Sequence, residues 1–182
     1  MLEDEAVATS NHGASGWITL LVLFGIVSTV EAFTVSHVFR FMPLYLATVQ
    51  VPPADVPAWT GYLNAAFFLF GLPLVPFWGV WAERYGRIPI IARSAFVEMV
   101  VFAVLWFAQN RWEAAFGLLL VGFQLGNTGV MLTALRAATP QRRVGLAISL
   151  FGVSPSLGFA LGPSVGGWLV DHSVLNLHTL FA

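Results

Sequence analysis

Five stretches of this chain stay apolar for long enough to cross the ~30 Å hydrocarbon layer of a bilayer, a distance that takes a helix about 20 residues. They run from Trp17 to Phe41, Trp59 to Trp81, Ile88 to Ala108, Trp112 to Leu135 and Val144 to Val170, and a sixth begins near Leu175 and is cut off at Ala182. Hydrocarbon offers no water to backbone polar groups, so continuous apolar runs of this length predict helices, each satisfying its own hydrogen bonds. The expected fold class is an all-α membrane protein with five transmembrane helices plus the start of a sixth. Composition agrees: 58% of the 182 residues are hydrophobic and 9% charged, with a mean hydropathy of +0.81, far from the balance of a water-soluble domain.

The residues before Trp17 carry Glu3, Asp4 and Glu5 and no cation, unlike the positively charged start of a signal peptide, so residues 1–16 read as a polar cytoplasmic tail. All 8 cations are arginine and the net charge is −1, too few and too scattered to neutralise a run of phosphates, which argues against a nucleic-acid partner. There is no cysteine, hence no disulfide or thiolate chemistry. Arg84, Arg87 and Arg93 flank the turn between the second and third segments, and Arg136, Arg142 and Arg143 that between the fourth and fifth. By the positive-inside rule these turns face the cytoplasm, which puts the N-terminus inside and the chain in the cell's inner (plasma) membrane. Trp17, Trp59, Trp81, Trp112 and Trp168 fall near segment ends, where indoles sit at the headgroup level.

An uncompensated charge inside a membrane costs at least ~3 kcal/mol, so ionisable residues within the segments are functional candidates. Glu31, in the middle of the first segment with Val27 and Thr34 on its face, is the candidate proton carrier. The plainer alternative is a neutral glutamic acid that ties helices together. Glu98 in the third segment reads mainly as a structural or snorkelling group. Arg40, near the outer end of the first segment, is a second proton-coupling candidate that can snorkel or salt-bridge with an acid from another helix, and His37 beside it can titrate or simply hydrogen-bond. Gln124, Asn127 and Thr128 bring polar groups into the fourth segment, either to line a substrate cavity or to hydrogen-bond between helices. No nucleophile and base pair, phosphate-cradling loop or metal motif shares an element, so neither an enzyme nor a cofactor is expected.

Glycine and proline are concentrated in two places. The decamer GFALGPSVGG spans Gly158 to Gly167, and GVWAERYGR spans Gly79 to Arg87. Gly158, Gly162 and Gly166 lie four apart on one helix face and permit close backbone approach, while Pro155 and Pro163 each remove a helical hydrogen bond. Gly79 is expected to allow close helix approach and Gly86 to supply a positive-φ turn. Gly71, Pro76, Gly79 and Trp81 recur as Gly158, Pro163, Gly166 and Trp168 at a constant displacement of 87 residues, on segments that cross the membrane in opposite directions. That pattern predicts two inverted three-helix repeats, 17–108 and a truncated 112–182.

Gly79, Glu83, Arg84, Gly86 and Arg87 resemble the loop signature between helices 2 and 3 of the major facilitator superfamily, with Glu83 where Asp is usual. Gly158, Gly162, Pro163, Gly166 and Gly167 resemble the helix 5 signature of its proton-coupled drug antiporters. The resemblance aligns nearly the whole chain after the tail with the N-terminal six-helix half of such a transporter, truncated at the start of helix 6. It implies that the loop network latches the two halves in one transport state, and that the helix 5 motif prevents ion leak and favours antiport. Many of these antiporters carry a helix 4 arginine where this chain has Gly122.

The resemblance implies proton-linked efflux of small amphipathic solutes, incomplete alone. The partners expected are membrane lipids, a small-molecule substrate, and a missing C-terminal half or second membrane protein. The alternative is a truncated, non-transporting subunit of a larger membrane complex, such as a pigment-containing one.

Overall fold

The computed structural model describes residues 2–171, with side chains for 16–169. The sixth segment from Leu175 lies outside them. Seven α-helices follow in order: α1 (Leu2–Thr48), α2 (Val56–Gly71), α3 (Leu74–Tyr85), α4 (Arg87–Phe107), α5 (Arg111–Leu120), α6 (Asn127–Ala138) and α7 (Val144–Asp171), with 3-10 turns at Val121–Gln124 and Gln141–Arg143. They make five spans long and apolar enough to cross a membrane: Gly16–Thr48, Val56–Tyr85, Arg87–Phe107, Arg111–Ala138 and Gln141–Leu169.

The first span runs on past Phe41, where the apolar segment was expected to end, through Pro43 to Thr48. Burial decides this, because Met42, Tyr45 and Leu46 are fully enclosed and only a continued helix points all three inward. The helix then stops in a Schellman motif: Gln50 takes the left-handed conformation at φ 63°, and the Val51 N–H donates back to the Leu46 carbonyl at 3.2 Å. Val51 packs into the same apolar cluster as Leu46, the hydrophobic contact that usually accompanies this cap. Pro52 and Pro53 follow and cannot continue a helix.

The second span, expected as one helix, is divided between α2 and α3 at Leu72 and Pro73. Pro73 and Pro76 each lack an N–H, so a full turn of the ladder is weakened while the backbone at both residues of the joint keeps right-handed helical angles. Gly86 at φ 94° closes α3 and opens α4, the positive-φ turn expected of it. Pro89 sits in the first turn of α4, where a missing N–H costs nothing. α5 begins with a side-chain cap: Asn110 Oδ1 accepts from the N–H groups of Trp112 at 3.0 Å and Glu113 at 3.1 Å, and Glu113 reaches back to accept from the Gln109 N–H at 2.8 Å.

Packing is most extensive between α1 and α7. The glycine face explains it. A Cβ on Gly158 would collide with the Thr29 carbonyl and Ala32, one on Gly162 with Ser36 and the Phe33 carbonyl, and one on Gly166 with the His37 and Phe41 rings at 2.6 Å. Gly167 faces open space. Polar groups use the same proximity: Thr29 Oγ1 donates to the Ser154 carbonyl at 3.0 Å, and Ser36 Oγ lies 3.4 Å from that of Gly158.

Two apolar clusters fill opposite ends of the bundle. One gathers Tyr45, Leu46, Phe67, Leu105 and Leu118, and there the buried Tyr45 hydroxyl donates at 2.7 Å to the Leu105 carbonyl, one of the orphan acceptors in the last turn of α4. The other gathers Trp17, Met131, Leu135, Ala147 and Phe151. Trp17 is therefore a core residue and not part of a headgroup belt, being 5% exposed. Trp59 and Trp112 do pair at one end of the bundle, edge to face with centroids 5.2 Å apart, with the Arg111 guanidinium over both rings.

Candidate functional site

Between the two apolar clusters lies a polar layer, and its centre is Glu31. Its Oε1 accepts from the Ser94 hydroxyl of α4 at 2.6 Å and from the Asn127 side-chain amide of α6. Three spans converge on one carboxyl. The fourth span brings Asn127 there by breaking. After α5 the chain tightens into the 3-10 turn, Leu125 becomes extended at ψ 145° and Gly126 takes φ 95°, so that α6 starts afresh at Asn127.

This break was not expected, since the segment Trp112–Leu135 is apolar throughout and reads as one helix. Its cause is a close crossing of backbones. A Cβ on Gly71 would meet the Gly122 carbonyl at 2.7 Å, and one on Gly122 would meet the Phe67 carbonyl at 3.0 Å. The crossing also explains why no side chain extends from the position where many relatives of the antiporter type were expected to carry arginine: Gly122 is sealed against α2.

A cavity of about 220 Å³ opens beside Glu31, lined among others by Ser28, Phe67, Gln124, Gly126, Asn127, Thr128, Pro155 and Phe159. Glu31 and the three polar residues singled out in the fourth segment thus share one cavity wall. The N-terminal turn of α6 also lines it, and the unpaired N–H groups and dipole of a helix start favour a carboxylate nearby. Irregular backbone at membrane depth is tolerated where it lines such a cavity.

The Glu31 partners suit both protonation states. Ionised, the carboxylate accepts from Ser94 and Asn127. Protonated, it needs an acceptor, and two are at hand: Ser94 Oγ, whose single proton can go instead to the Ile91 carbonyl at 2.8 Å, and Asn127 Oδ1, which is buried without a partner among the described residues and is brought round by an amide flip.

Arg40 is not brought to this site. It is exposed on α1, more than two turns from Glu31 along the helix. The cation near Glu31 is Arg93, which the sequence reading had assigned to the cytoplasmic turn. Its guanidinium carbon stacks 3.6 Å from the Trp78 ring centroid, all three of its nitrogens are buried without a hydrogen-bond acceptor among the described residues, and Arg93 directly precedes Ser94, the α4 partner of Glu31. The signal was present in the sequence: Arg93 lies inside the apolar run from Ile88, not before it.

In the loop motif, Glu83, Arg84 and Arg87 are exposed. Gly79 differs from expectation, because nothing stands within 4 Å of where its Cβ would be. Instead of a close helix contact it borders an open groove of about 250 Å³ shared with Glu83, Arg87, Gly126, Gly129 and Thr133. His37 is buried against α7, its Nδ1 3.5 Å from the Gly162 carbonyl, and faces away from the cavity. Among the described residues no group of three His, Cys, Asp or Glu is arranged to hold a metal.

Five apolar spans around a cavity that carries polar groups on one wall are the architecture of an integral membrane protein. The chain matches the Major Facilitator Superfamily over residues 21–181 and belongs to that family, whose members are generally not enzymes. It is similar to the multidrug resistance protein MdtG of Rahnella sp. (strain Y9602), 32% identical over 137 residues, covering 75% of this chain and 33% of that protein. MdtG of Proteus mirabilis is 30% identical over 152 residues, covering 83% of this chain and 37% of the relative. For MdtG of Klebsiella pneumoniae the figures are 32% over 147 residues, 80% and 35%. The chain thus spans about a third of the length of these relatives.

Proposed function

We propose that this chain contributes to proton-linked efflux of small amphipathic solutes, with Glu31 as the proton carrier and the cavity beside it as part of the solute path. The observation that carries this reading is a membrane carboxyl on a cavity wall whose partners satisfy it with and without its proton. A purely structural acid needs only one of these states. The mixed lining, with Phe67 and Phe159 beside Gln124, Asn127 and Thr128, suits a solute with both apolar and polar faces. The names of the MdtG relatives support export of several drugs as the transported class.

Alternating access rocks one half of such a transporter against the other around a central site. We therefore assign the open groove beside Gly79 and Glu83 as the seat for a helix of a second half, whether on this polypeptide or another. The exposed arginines at Arg84, Arg87, Arg136, Arg142 and Arg143 support a cytoplasmic N-terminus in the plasma membrane.

The test is solute flux in proteoliposomes under an imposed pH gradient, with the chain reconstituted alone and together with a complementing six-helix half. Gradient-dependent flux is expected with the second half present, and Glu31→Gln is expected to abolish its dependence on pH while leaving solute binding measurable. Absence of gradient-dependent flux in both preparations, or coupling that survives in Glu31→Gln, would refute the reading.

A further inference from the structure

α4 carries two charged side chains at membrane depth that the proposed mechanism does not use, Arg93 and Glu98. Their placement is ordered with respect to α1. The two helices run in the same direction, since Glu31 meets Ser94 and, further along, Tyr45 meets Leu105. Thr34 lies one turn beyond Glu31, Glu98 one turn beyond Ser94, and both border a second, very small void of about 10 Å³ together with Gln124. That is room for about one water. Gln124 and Val35 line this void and the larger cavity alike, so they form the wall between them.

Three observations show that the polar inventory here is incomplete if each group is taken alone. Glu98 Oε1 is buried without a hydrogen-bond partner among the described residues, although the Thr34 and Gln124 side chains border the same void. Every nitrogen of the Arg93 guanidinium is in the same condition. Arg93 directly precedes Ser94, which donates to Glu31, and Glu98 lies one turn further along the same helix, so the three charged groups occupy neighbouring turns.

Among the described residues the remaining elements supply no further charge at this depth. On α1, His37 faces α7 and Arg40 is exposed. α2 has no charged residue, and Glu83 and Arg84 stand exposed at the far end of α3. Arg111 and Glu113 are at the capped start of α5, the 3-10 turn and α6 offer amides and hydroxyls until Arg136, and α7 has no charged residue from Val144 to Leu169. Among the described residues two carboxyls and one guanidinium therefore share a low-dielectric layer, and these three groups sum to zero charge only with one carboxyl protonated.

We propose that Glu31, Glu98 and Arg93 form a single site that holds one exchangeable proton between its two carboxyls, with Arg93 as the fixed counter-charge. When the proton is on Glu98, Glu31 is the carboxylate that accepts from Ser94 and Asn127. When it is on Glu31, Glu98 is the carboxylate. Moving it breaks one O–H bond, forms another and leaves the net charge at zero. Glu98 is then the half of the site on the Tyr45 side of the bundle, and Glu31 the half that faces solute. This assignment deepens the reading of Glu31 as proton carrier.

Infrared difference spectroscopy of the whole chain in lipid nanodiscs reads buried protonated carboxyls directly and needs no transport. At neutral pH the wild type should show a protonated-carboxyl band that is lost in Glu98→Gln as well as in Glu31→Gln, because either change leaves one carboxylate paired with Arg93. Arg93→Met should do the opposite and raise the band about twofold, an outcome that misfolding does not mimic. A wild type without the band, a band of unchanged amplitude in either glutamine variant, or an unchanged band in Arg93→Met would overturn the proposal. Loss of flux with these spectra intact would instead count against transport alone.

Discussion

Gly158 and Gly167 belong to the same decamer and to the same helix, yet they face opposite surroundings. The first lies against the backbone of α1, where an added methyl has no space, and the second faces open space. Gly158→Ala should therefore destabilise the protein by about 1–3 kcal/mol through overpacking, whereas Gly167→Ala should leave the thermal midpoint in detergent unchanged. Equal effects at the two positions would show that the glycine face is not what joins α1 to α7. Tyr45 gives a second residue-scale case. Its hydroxyl satisfies a buried carbonyl at the end of α4, so Tyr45→Phe should cost about 1–3 kcal/mol in the same melting experiment by leaving that acceptor unpaired. Neither difference was legible in the sequence. The spacing of Gly158, Gly162 and Gly166 announced a packed face, but only the fold says that the partner is α1.

The fourth span is the element in which sequence and structure part most. By length and apolarity it is one helix. In the bundle, Gly122 crosses Gly71 and Gly126 turns through a positive φ, so the chain enters the cavity layer twice, as the end of a 3-10 turn and as the start of α6. An L side chain is disfavoured at that angle, and Gly126→Ala is expected to cost about 1–3 kcal/mol. Its signature should be local, with amides at 127–130 exchanging faster in hydrogen–deuterium measurements while those of α7 stay protected. Uniform loss of protection would point to general unfolding instead. Under the 87-residue displacement, Gly71 corresponds to Gly158, and the two pack against the fourth and first spans respectively, which that displacement also relates. We propose on this basis that the bundle is built from two inverted repeats.

For the molecule as a whole, the charge pattern carries a prediction that the absence of native cysteine makes clean to test. With a single cysteine introduced at Gln141 or at Ala54, a membrane-impermeant thiol reagent applied outside intact cells should label only the Ala54 position. Labelling of Gln141 alone would invert the proposed topology, and labelling of both would refute it. The sequence by itself determined the five described spans, because bilayer thickness and backbone satisfaction leave an apolar run of this length few alternatives, and its two glycine motifs pointed to the family. It also singled out Glu31, Gln124, Asn127 and Thr128, which the structure brings to one cavity wall, since polar residues in an apolar run stand out without any fold. What only the tertiary structure decided is which of them meet. Hydropathy is a property of a window of residues, and it could not tell that Arg93 turns inward over Trp78 while Arg40 faces out, that the fourth span breaks where two glycines cross, or that Glu98 lies one turn from the carboxyl it accompanies. Those depend on distances between helices remote in sequence.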